Sequence, residues 1–193
     1  LAGLPDSMDV VSSWDNSTNL SEGQKRDLEF VQKVKGTKVL YCSFTSYVGQ
    51  GATPKAHNAD EAARHKFWGW EAGNTEKQEA AVRKYANAII DTLSKYNYDG
   101  FDIDFEPNYG YGGKLASNYD LMHVFITELA KHIGPMSPHP EKLLIVDGEP
   151  QTLLAKTGPF ISYYVIQAYF AKEGNLDGRL LNGIDKFKSV MSE

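Results

Sequence analysis

The stretch YDGFDIDFEPNYG, residues 98–110, puts a carboxylate at every second position: Asp102, Asp104 and Glu106. In an extended chain successive side chains point to opposite faces, and same-face neighbours stand about 6.6 Å apart. The three acids therefore share one face, while Phe101, Ile103 and Phe105 share the other. An ionised carboxylate withdrawn from water without a partner is costly enough to move its pKa upward, and each acid disfavours ionisation of the next. Such a row can hold a proton near neutral pH, which is what a general acid requires. Glu106 stands at the carboxyl end of the segment, where parallel α/β folds place their active sites.

The same row has two other uses: a solvated acidic face on an edge strand, or a set of oxygen ligands for magnesium or calcium. Against the first, the segment lies mid-chain between two amphipathic segments, a setting typical of interior strands. Against the second, it lacks the glycine spacing of an EF-hand loop, and no nearby His or phosphate-binding Gly-Lys pair accompanies it. Neither a metal nor a cofactor is expected.

Positioning the row is the task of repeated β/α units. Short apolar runs rich in β-branched and aromatic residues alternate with longer segments of helical period, an order that favours a parallel sheet. Strands are expected over residues 8–14 (MDVVSSW), 37–44 (TKVLYCSF), 100–106, 142–148 (KLLIVDG) and 163–169 (YYVIQAY). Helices are expected over residues 19–36, with Ser21 as N-cap and Gly36 as the stop, and over 75–96, 117–133 and 180–191. Residues 45–74, rich in Gly, Ala, Asn and His, read as a long loop with one short helix near 59–67, and GPMSPHPE is a proline-rich break. Five strands in 193 residues fit an open sheet or an incomplete barrel. A closed eight-stranded barrel typically takes about 250 residues, and the pattern alone does not choose.

The length suits one domain, and 41% hydrophobic with 23% charged residues is the profile of a soluble folded protein. A formal charge of −5 and scattered Lys and Arg leave no phosphate-binding face, so nucleic acid is not an expected partner. No apolar run is long enough to span a bilayer. The single cysteine, Cys42, excludes an intrachain disulfide and a Cys-rich metal site. Inside KVLYCSF it reads as a small buried packing residue.

The spacing in DGFDIDFE, residues 99–106, resembles the complete D-x-x-D-x-D-x-E signature of family-18 glycoside hydrolases, with every acid present. The resemblance implies a (β/α)8 TIM barrel, incomplete in this chain, with residues 1–193 forming a single catalytic-type domain that corresponds to about strands two to six. Glu106 then matches the general acid that protonates the glycosidic oxygen and later, as base, activates water. Asp104 matches the acid that orients the substrate 2-acetamido group, so that its oxygen attacks the anomeric carbon and forms an oxazolinium intermediate. Asp102 matches the partner that shares a proton with Asp104, and Asp99 a structural acid. Tyr169 is the candidate for binding the acetamido carbonyl.

Family chitinases usually read Met-x-Tyr-Asp where this chain has IQAYF. An amide two residues before the Tyr, Gln167 here, looks more like the endo-β-N-acetylglucosaminidase branch, and SFTSYVGQG is similar to that branch's Gly-rich loop. Asp147 and Glu149 in VDGEP are candidates for sugar-hydroxyl contacts, and Trp14, Trp68 and Trp70 for stacking on sugar faces. The expected function is retaining, substrate-assisted cleavage of the β-1,4 bond between the two core N-acetylglucosamines of N-linked glycans. A chitinase acting on chitin oligomers and a non-catalytic carbohydrate-binding protein on the same scaffold are the alternatives. The implied partner is an N-glycan or another N-acetylglucosamine-containing carbohydrate, and the implied location secreted, periplasmic or cell-surface.

Overall fold

The apolar runs pair side by side in a computed structural model that describes residues 2–14, 17–109, 113–181 and 183–191. The strands are β1 (Val10–Ser13), β2 (Lys38–Phe44), β3 (Gly100–Phe105), β4 (Leu143–Gly148) and β5 (Tyr163–Ile166), all parallel and arranged in chain order. A doubly wound sheet reverses its strand order at a switch point and covers both faces. Here the order runs in one direction, and crossovers of one hand put the helices on one face. The sheet curls into half of a barrel, a partial TIM barrel.

The helices begin and end where local chemistry satisfies their terminal groups. α1 (Glu22–Phe30) starts with a capping box between Ser21 and Gln24, runs into a π turn over Val31–Lys35, and stops at left-handed Gly36, as expected. α2 (Glu61–Trp68) is capped by Asp60, α3 (Thr75–Tyr96) by Asn74 and α4 (Tyr119–Leu129) by Asn118. In each, the cap side chain accepts from a backbone N–H of the first turn, which removes one orphan donor. No helix among the described residues is long and apolar enough to cross a membrane.

The main core lies between the outer face of the sheet and these helices. Phe101, Ile103 and Phe105 are fully buried there, together with Tyr85 and Ile89 of α3 and Met122, Phe125 and Ile126 of α4. Tyr85 and Phe125 stack with ring centroids 5.0 Å apart. Trp68 and Trp70 also belong to this core, so the expected stacking on sugars is corrected for both. Trp68 Nε1–H donates to Thr53 Oγ1, and its indole meets the Tyr85 ring edge-on.

The carboxyl-terminal region departs most from the sequence pattern. β5 ends at Ile166 instead of residue 169. The closing helix expected over 180–191 is replaced by α5 (Glu173–Leu181) and a short 3-10 turn at Asp185–Phe187. α5 accommodates Gly174 and Gly178, residues that lower helix propensity by about 1 kcal/mol each relative to Ala and so hid the element from periodicity.

Asp99 ties the lower end of β3 to its surroundings. Its Oδ2 accepts from the backbone N–H of Val39, at 2.8 Å, and from Gln32 Nε2, at 2.7 Å. Asp99→Ala leaves the Val39 N–H without that acceptor. We expect a loss of about 1–3 kcal/mol, read as a lower urea midpoint at unchanged m-value; an unshifted midpoint would show the tie to be dispensable.

Candidate active site

Strand alternation and register build the inner face of the half-barrel. Asp102 lies between Cys42 of β2 and Ile145 of β4, and Asp104 between Phe44 of β2 and Asp147 of β4. Near the amino ends of the strands the same face is apolar, where Leu40, Leu143 and Ile145 form a small separate cluster with Val10 against it. The inner face thus changes from an apolar plug to an acidic column, with Glu106 one residue past the end of β3.

Each acid has a different environment. Asp102 is buried; the Ser12 hydroxyl of β1 donates to its Oδ2. Burial raises its pKa, while the bonds from Ser12 and the Cys42 thiol oppose the rise. Asp104 is 4% exposed, and its Oδ1 has no hydrogen-bond partner among the described residues. Burial first, then the charges of Asp147, Glu106 and Asp102, push it up to about 8. Asp147 is pushed up to about 7 by burial and then by Asp102. Gln167 Nε2–H donates to Asp147 Oδ2 at 3.1 Å, and the same amide opposes the rise at Asp104 and Glu106.

Glu106 is half-buried, and its pKa is raised by burial and next by the charge of Glu149. Near neutral pH this column holds protons, so a group at its open end can act as an acid. Cys42 sits among the same carboxylates, and burial with their charges pushes its thiol far up, which removes it as a nucleophile.

The other sequence candidates fall in different places. Trp14, just past β1, is 43% exposed on the inner side and meets Phe44 edge-on with centroids 5.3 Å apart. Tyr169 lies beyond the end of β5, 74% exposed, and makes no hydrogen bond among the described residues; the structure does not bring it against the acids. Glu149 is buried just after β4, with both carboxylate oxygens on Asn108.

Sequence reasoning passed over two residues that hold this arrangement. Ser12 was legible only as a strand residue, because its partner Asp102 depends on register. Arg179 belongs to the unexpected α5; it donates to the Gln167 carbonyl through Nε at 3.0 Å and Nη2 at 2.8 Å, and its Nη1 bonds the Tyr109 hydroxyl. Among the described residues no group of three or more His, Cys, Asp or Glu is arranged to hold a metal ion.

The acids gather at the carboxyl ends of parallel strands, the end at which barrel enzymes place their active sites. The model of glycoside hydrolase family 18, BT1044-like, matches residues 1–193, and the chain belongs to that family. Among solved structures, a Glu-to-Gln variant of selenomethionine BT1044 is 36% identical with a TM-score of 0.78, over 98% of this chain and 56% of that one. An endo-β-N-acetylglucosaminidase from Cordyceps militaris, a double mutant in complex with fucosyl-N-acetylglucosamine-Asn, is 22% identical with a TM-score of 0.59. The match covers 98% of this chain and 55% of that one. The apo form of the same enzyme is 24% identical with a TM-score of 0.60 over the same shares, and these two matches bear on the fold. The chain therefore spans little more than half the length of the solved structures it matches. No curated protein sequence matches it.

The raised pKa of Asp104 gives folding a pH dependence of defined sign. Its folded value of about 8 lies above the unfolded one, about 3.9, so between them the native state binds more protons. The contribution is fully present below about pH 4 and is lost as pH rises through 8. Stability is expected to fall from pH 5 to 8.5, and Asp104→Asn to flatten that slope, gaining on the order of 1–2 kcal/mol over the native chain at the alkaline end. Urea denaturation at both pH values measures this; parallel pH profiles for the two chains would mean that Asp104 titrates normally.

Proposed function

We propose that the protein containing this chain is a retaining, substrate-assisted endo-β-N-acetylglucosaminidase that cleaves between the two core N-acetylglucosamines of N-linked glycans. The observation that supports this reading above all is the graded column: Asp102 held by a hydroxyl, Asp104 pushed up to about 8, and Glu106 half-open at the strand end. In this mechanism Glu106 donates its proton to the glycosidic oxygen as the bond to the anomeric carbon breaks. Asp104 accepts a hydrogen bond from the acetamido N–H, which turns the acetamido oxygen onto that carbon to close the oxazolinium ring. Asp102 takes up the proton shared with Asp104 as charge develops. Glu106, now a carboxylate, removes a proton from the water that opens the ring. The substrate supplies the nucleophile, so the separation rule for two protein carboxylates does not apply.

Gln167 gives the reading its branch, since an amide two residues before Tyr169 resembles the endo-β-N-acetylglucosaminidase pattern, and here its Nε2–H donates to Asp147 on the acidic face. Trp14, exposed beside Phe44, offers a ring to a sugar face. The relative from Cordyceps militaris with fucosyl-N-acetylglucosamine-Asn bound is consistent with a substrate carrying the protein-proximal sugar.

The test is glycan release from high-mannose and complex glycoproteins by the full-length protein, with chitin oligomers in parallel. Glu106→Gln is expected to lower kcat by about 10²–10⁴-fold at little change in KM. Undiminished release by that variant would overturn the role of Glu106, turnover confined to chitin oligomers would make the enzyme a chitinase, and glycan affinity without cleavage would make it a binding protein.

A further inference from the structure

The turn that follows β3 has to hold Glu106 still, and the residues around it show what does so. Glu106 begins a turn in which the Tyr109 N–H reaches the Glu106 carbonyl at 3.4 Å. Asn108 is exposed, yet its backbone N–H donates to Glu149 Oε2 at 2.8 Å and its Nδ2 to Glu149 Oε1 at 3.2 Å. Glu149 is 4% exposed, and its own N–H donates to the Phe105 carbonyl at 2.8 Å. Its carbonyl accepts from Thr152, through the backbone N–H at 3.0 Å and Oγ1 at 2.9 Å. Gly148 makes this close approach possible: its φ is +96°, and a Cβ there would stand 2.5 Å from the Phe105 carbonyl oxygen and 3.2 Å from Glu106 Cγ.

We propose that Glu149 is a positioning residue for Glu106, its buried carboxylate clamping the turn over residues 106–109 and setting a negative charge behind the acid. This rests on the glycosidase reading and changes the part expected of Glu149. A carboxylate this enclosed, with both oxygens on Asn108, is an anchor of the turn and not a sugar contact. The clamp is also electrostatic, because Glu149 is the largest charged contributor to the raised pKa of Glu106 after burial. The other groups facing Glu106 are Asp104 of β3, Asp147 of β4, and the neutral Gln167 amide past β5. The cation of α5, Arg179, is engaged with Tyr109 and the Gln167 carbonyl.

Glu149→Gln keeps the shape and an acceptor oxygen but removes the charge. In the full-length protein the basic limb of kcat/KM is expected to move to lower pH, so that at high pH the variant loses about three- to tenfold more than at pH 5, with KM unchanged. The Glu106 carboxyl, followed by ¹³C NMR, should titrate lower in the variant. An equal loss at every pH, or a raised KM with an unmoved limb, would overturn the proposal. Should Glu149→Gln fail to fold, Asn108→Ala tests the clamp: kcat should fall at constant KM, and unchanged kcat would refute it. If the native protein cleaves no glycan while the Glu106 titration still depends on Glu149, the glycosidase reading fails and this inference stands.

Discussion

Repulsion among carboxylates shut away from water is the constraint to which the rest of the inner face is fitted. Asp104 and Asp147 face each other at one level of the half-barrel with Asp102 at the level below, and the structure answers with neutral donors: the Ser12 hydroxyl, the Cys42 thiol and the Gln167 amide. A Lys or Arg among them would have drawn the pKa values down and left ionised carboxylates. Arg179 of α5 is turned to a backbone carbonyl and a phenol instead. The column therefore relieves its repulsion by keeping protons, the state a proton donor needs.

The opposite face of the same strand makes this tolerable. Phe101, Ile103 and Phe105 are fully buried against α3 and α4, and such side chains contribute about 1.5–3 kcal/mol each when removed from water. The acids ride on a strand whose position is already decided from behind. The burial that raises their pKa values comes from their own neighbours on β2 and β4 and from the apolar cluster of Leu40, Leu143 and Ile145 beneath.

Much of this was legible before any coordinates. The alternation from Phe101 to Glu106 gives the strand, its two faces and the acid site, and Ser21, Gly36 and the periodic faces of α3 and α4 mark where helices start, stop and pack. Sequence spacing does not reveal what depends on contact across elements. Glu149 read as a sugar ligand because its claim on Asn108 appears only once the ends of β3 and β4 lie side by side. Trp68 and Trp70 read as candidate sugar platforms, although their long loop folds back so that both rings enter the core. Around α5, two glycines masked a helix, and the apolar run YYVIQAY outlasted the strand it predicted, since its pairing with β4 stops at Ile166.

The contact between Ser12 and Asp102 has a consequence for how the sheet assembles. β1 reads VVSS and pairs with β2 on one side, so its apolar content gives only a weak preference for one alignment. Sliding it by one residue turns the face over, and sliding it by two sets Val10 or Trp14 where Ser12 belongs. In three of these four misalignments Val10, Val11 or Trp14 replaces the hydroxyl on Asp102 Oδ2, and only the slide that brings Ser13 there keeps one. The acid thus disfavours most shifted seatings of the neighbouring strand, so the polar interior of the sheet helps to fix its alignment.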